Sequence, residues 1–75
     1  MTVLSDQLVK IAKEYLGPAA ATFMARQCKH IKLTSIEEVT FDHLPEYSKY
    51  VEISSGLLIG KDKAKEFKDK LLELF

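Results

Sequence analysis

Apolar residues recur along this chain at helical rather than strand spacing. Leu8, Ile11, Ala12, Tyr15 and Leu16 fall at i, i+3, i+4, i+7 and i+8, one wide apolar stripe with Lys10, Lys13 and Glu14 on its wet side. With Ser5 as first cap candidate, this predicts a helix over about residues 4–16. Leu16-Gly17-Pro18-Ala19-Ala20 then fuses a stop to a start. Gly takes positive φ just past a helix end, and Pro suits the first helical position, where its missing N–H would be unpaired anyway. A second helix is predicted from Pro18 to about Ile31, meeting the first in a tight pair. Within it Ala21, Ala25 and Cys28 recur at i, i+4 and i+7 as a stripe of small side chains, which predicts a close helix–helix seam and a central place for this helix. Phe23, Met24 and Ile31 add bulk beside the stripe, and Arg26, Lys29 and His30 look outward.

Thr34-x-x-Glu37 and Ser35-x-x-Glu38 are overlapping capping boxes that predict a short helix. Thr40-Phe41-Asp42 offers the next cap, and Pro45 fits only the first turn of a new helix. From His43 to Ile59, Leu44, Tyr47, Val51 and Leu58, with Ser54 or Ser55 between, follow one helical face, while Tyr50, Ile53 and Leu57 form a second. Residues 50–54 also alternate as a strand would, and Gly56 costs a helix about 1 kcal/mol relative to Ala. The longer helical pattern and the absence of a preceding partner strand favour a helix, ended by Gly60. Asp62 is the predicted cap of a last helix with Ala64, Phe67, Leu71, Leu74 and Phe75 on one face and a lattice of charge on the other. The expected fold is an all-α, compact four- to five-helix domain spanning residues 1–75, with a tight LGP-joined hairpin of helices 1 and 2.

A chain of 75 residues has a core near the lower limit for folding alone, burying only about 60% of its unfolded surface, so self-association is a natural source of added stability. One Cys excludes an intramolecular disulfide. No signal-peptide pattern is visible, and no apolar run nears the ~18 residues of a membrane span, so a reducing, cytoplasmic setting is expected. The net charge is zero but unevenly spread. Residues 1–33 set Lys10, Lys13, Arg26, Lys29 and Lys32 against Asp6 and Glu14, a net +3. Residues 34–60 set Lys49 against Glu37, Glu38, Asp42, Glu46 and Glu52, a net −4, and the remainder is +1. Neither segment is basic enough for a nucleic-acid footprint.

Candidate chemistry is sparse. Cys28 and His30, with His43, Glu46 or Asp42 as further ligands, invite a metal reading. Yet positions i and i+2 lie about 200° apart on a helix, and the spacing matches no specific zinc pattern. The same geometry weakens a Cys/His nucleophile pair, which also lacks an orienting third group. Gly17, Gly56 and Gly60 stand alone, so no phosphate-cradling loop is formed. Helices 1 and 2 evoke a helix-turn-helix, but the second opens with Pro-Ala-Ala-Ala, which reads no base edge. No catalytic, cofactor-binding or metal-ligating residue is therefore assigned. Tyr47, Tyr50, Ile53 and Leu57, on a helix with two apolar faces, are the candidate partner contacts.

Leu8-x-x-Ile11-Ala12-x-x-Tyr15-Leu16-Gly17-Pro18-Ala19-Ala20 resembles the LGP-[Ile/Ala]-Ala motif of a small helical domain of unknown function. That domain stands alone in archaea and at the ends of bacterial signalling proteins, Ser/Thr kinases among them. Ser35-Ile36-Glu37-Glu38 and His43-Leu44-Pro45-Glu46 resemble its short capped helix and the start of its long one. Ala19 stands where the motif often has a bulkier Ile. The resemblance implies a non-catalytic interaction or signalling-adaptor module with no catalytic residues to carry over. The competing expectations are a small enzyme, or an accessory subunit of one, using Glu46, His43 or Cys28, and a weak nucleic-acid binder through the basic first half. A two-fold homodimer through the Tyr47/Tyr50/Ile53/Leu57 side is expected from the apolar surplus and the charge segregation.

Overall fold

A computed structural model of the chain describes residues 3–74; Phe75, expected on the apolar face of the last helix, lies outside them. The described residues are mostly helical with no strand among them, and the molecule measures 27 × 23 × 21 Å. Its accessible surface of 4773 Å² is close to the roughly 4,700 Å² expected of a folded chain of this size. Among the described residues no helix is long and apolar enough to cross a membrane.

Helix α1 spans Val3–Leu16, with Leu4, Ser5, Leu8 and Ala12 buried. Ser5 is thus a core residue inside the helix rather than its cap. Gly17 sits at φ +61 and opens a 3-10 turn, Gly17–Ala19, that passes straight into α2, Ala20–Gln27, and a closing 3-10 turn, Cys28–Ile31. Lys32, in the left-handed region at φ 63, ends this run. Helix α3 is Leu44–Ile59 and α4 is Lys61–Leu72. The four to five separate helices expected become, among the described residues, three joined helical runs, 3–31, 41–59 and 61–72. Two local causes account for this. At Gly17 the right-handed helix breaks, but the 3-10 turn Gly17–Ala19 passes into α2 with no loop residue between them, so the segments form one joined run. The capping box at 35–38 starts only a single 3-10 turn, Ile36–Glu38, because β-branched Val39 and Thr40 are extended.

Ser35 wins the capping register. The Glu38 carboxylate accepts from the Thr34 and Ser35 N–H groups at 3.0 and 3.1 Å and from the Thr34 hydroxyl, and these donors hold its carboxyl below the usual carboxylate range. Asp62 is no cap either: Gly60, at φ +86 and ψ 160, both stops α3 and starts α4, leaving a one-residue joint.

The core joins Leu4, Leu8 and Ala12 of α1, Ala20 and Met24 of α2 with Cys28, Leu44, Tyr47 and Val51 of α3, and Phe67 and Leu71 of α4. The predicted small seam is displaced. Ala21 and Ala25 are exposed, while Ala12 and Ala20 are wholly buried and Gly56 approaches Ala64. One residue is about 100° of helix, so moving the stripe from Ala21/Ala25 to Ala20/Met24 turns α2 by that much and drives Met24 inward. Helix α2 therefore flanks the core, and α3, packed on α4, α2 and the turn after α2, takes the central place.

Candidate functional site

The two faces of α3 are resolved by their hydrogen bonds. Leu44, Tyr47, Ser48, Val51 and Ser55 are buried, and the two serines donate back to the carbonyls of Pro45 and Glu52 at 3.1 and 3.4 Å, so they add no unpaired polar atom to the core. Tyr47 is among the largest fully buried side chains. Its hydroxyl donates to the Met24 carbonyl at 2.7 Å. That carbonyl is free because α2 tightens at its end, where the Cys28 N–H turns to Ala25 and Arg26 instead of Met24. The Cys28 thiol also reaches it, at 3.5 Å. Burial pushes the Tyr47 phenol and the Cys28 thiol up from their ordinary values, so both stay protonated and enclosed. Tyr47 therefore leaves the expected contact set: it clasps α3 to α2 from inside.

The other members of that set face outward. Tyr50 is half-buried, its ring stacked on His30 at 4.9 Å. Ile53 is 58% exposed and Leu57 88%; Leu58, expected on the core face, is 66% exposed. Leu58 misses the core because the buried face passes from Val51 to Ser55, and the next turn is occupied by the close approach of Gly56 to Ala64. These two small residues floor a shallow cleft of about 500 Å³ between α3 and α4, walled by Ile53 and Leu57 on one side and Lys61, Asp62 and Lys65 on the other. Glu52, also in its lining, is paired with Lys68 at 3.6 Å. The sequence pattern puts Leu58 on the core face and gives Lys61 and Lys65 no contact role.

A second cleft, of about 370 Å³, lies where α1 meets α4. Tyr15 stacks on Phe67 at 4.9 Å and donates to Glu66 at 3.2 Å, and Lys70 pairs with Glu14 at 3.4 Å. Desolvation and the Glu66 bond raise the Tyr15 pKa, and Glu14 above all raises that of Lys70. These groups satisfy one another and tie α1 to α4.

The other candidates for chemistry are dispersed. Cys28 is buried and His30 exposed on opposite sides of the same turn, and His43 uses Nδ1 to accept the Thr40 N–H at 3.0 Å. Among the described residues no group of three His, Cys, Asp or Glu side chains is placed to hold a metal ion. No family model, no curated protein and no solved structure matches the chain.

Proposed function

We propose that the chain is a non-catalytic protein-interaction module that offers the outer side of α3 to another protein. The observation that carries this reading is the row of Ile53 and Leu57, 58% and 88% exposed one turn apart, on a helix whose opposite side is enclosed. Large apolar side chains clustered on a folded surface and rimmed by charge are the usual mark of a contact patch. Tyr50, held by its stack on His30, extends the row with a side chain whose entropy is already spent. The resemblance to small domains at the ends of signalling proteins points the same way, with the Gly17–Ala19 junction as the hairpin of a scaffold and the cytoplasm as its setting.

The test is site-specific photo-cross-linking in the native host. A photoreactive residue at position 57 should give a discrete adduct that is absent when the same residue replaces exposed Thr22 on α2. Equal, diffuse labelling from positions 57 and 22 would overturn the reading.

A further inference from the structure

Glu46, Tyr50, Ile53 and Leu57 occupy i, i+4, i+7 and i+11 of α3, a heptad stripe along its outer side. The two ends of the stripe differ in sign. Exposed Asp42 and Glu46 stand at the amino-terminal end, with exposed Lys49 one turn after Glu46. At the carboxyl-terminal end Lys61 and Lys65 line the same cleft as Ile53 and Leu57. Of the acids that share this end, Glu52 is paired with Lys68, and exposed Asp62 stands in the first turn of α4, where a helix favours negative charge.

A surface that is acidic at one end, apolar in the middle and basic at the other is complementary to itself turned by half a revolution. We infer that the occupant of the α3 face is a second copy of this chain, packed antiparallel about a two-fold axis near Ile53, with Glu46 of each copy against Lys61 of the other. This rests on the reading of α3 as an interaction surface and names its partner. Seven residues of helix separate Glu46 from Ile53, about 10 Å. Measured from Ile53 in the opposite direction, that distance reaches the end of α3, where Gly60 and Lys61 stand. The same rotation sets Tyr50 of each copy over Leu57 of the other, covering the most exposed leucine with an aromatic ring. A partner without this polarity would meet like charge at one end, whereas a second copy meets opposite charge at both.

Charge reversal tests the arrangement. Sedimentation equilibrium of the full chain, across roughly 10 to 500 µM, should show a monomer–dimer equilibrium. Glu46→Lys and Lys61→Glu each place like charges together twice per dimer, and each should weaken it at least about tenfold. Both residues are exposed, so the variants keep the wild-type circular dichroism. Mixing the two single variants should give a one-to-one heterodimer, since both contacts become attractive, and the double variant should dimerise as wild type does. A wild-type chain that stays monomeric, or single variants that fail to pair when mixed, overturns the inference. A position-57 adduct with the mass of two copies would agree with it. An adduct with a different protein, beside a monomeric chain, would refute the second copy and leave the interaction reading standing.

Discussion

Replacing Tyr47 by Phe isolates one of the bonds that join α2 to α3. The ring and its packing remain, and only the hydroxyl that donates to the Met24 carbonyl at 2.7 Å is lost. The carbonyl is then left with the Cys28 thiol at 3.5 Å, a weak donor. An unsatisfied buried acceptor costs about 1–3 kcal/mol, and the residual thiol contact places the expected loss in the lower half of that range. With a urea dependence of about 1 kcal/mol per molar for a domain this small, the midpoint should fall by about 1–2 M at unchanged slope. The thermal midpoint should fall by about 4–16 °C. The assay is urea unfolding followed by far-UV circular dichroism at one dilute concentration, so that self-association adds nothing. Cys28→Ser supplies a stronger donor one helical turn from Met24. In the Tyr47→Phe background it should recover part of the loss, and in the wild type it should not stabilise. A midpoint for Tyr47→Phe within about 0.3 M of wild type would refute the claim that the tightened end of α2 needs this donor.

Ala20→Leu should overpack the seam against α1 and cost about 1–3 kcal/mol, whereas Ala25→Leu, on the exposed side of α2, should change stability by no more than about 0.5 kcal/mol; urea midpoints of the two variants decide between the seams. The lowered Glu38 carboxyl has a definite acid-side consequence: its contribution is present above the unfolded value of about 4.3 and is lost as pH falls through the folded value. Stability measured against pH should therefore show Glu38→Gln weaker than wild type at neutral pH, with the two curves converging in acid. Parallel curves would refute the role of the carboxylate.

The sequence carried the helical elements well because their boundaries rest on local chemistry. Gly17 and Gly60 adopt the positive φ that their positions beside apolar stripes demanded, and Leu8, Ala12, Leu44, Val51, Phe67 and Leu71 lie in the core as their spacing implied. What sequence did not disclose depends on rotation about helix axes. Ala20 and Ala21 have nearly equal propensities and differ only by about 100° of azimuth, which the 3-10 geometry of Gly17–Ala19 decides. Tyr47 was ambiguous for the same reason. A tyrosine suits a wet edge or a dry pocket with one acceptor, and the acceptor here arises only when α2 tightens after Gln27. The outward row of Tyr50, Ile53 and Leu57 was legible because two apolar faces on one helix exceed what one core can cover. The cleft beside it was not, since Lys61 and Lys65 reach it only through the turn at Gly60.

That turn has a bearing on the order in which the molecule comes apart. The most extensive helix–helix interface, between α3 and α4, closes over a joint of one residue, so almost no chain entropy is surrendered in forming it. The packing of α1 on α4, by contrast, must close the chain across most of its length. On this closure-entropy ground, hydrogen exchange is expected to show the α3–α4 pair outlasting the α1 contacts when the structure opens in part. The outward row and its cleft lie wholly within that pair, so they depend on the part of the chain that closes at the least entropic cost.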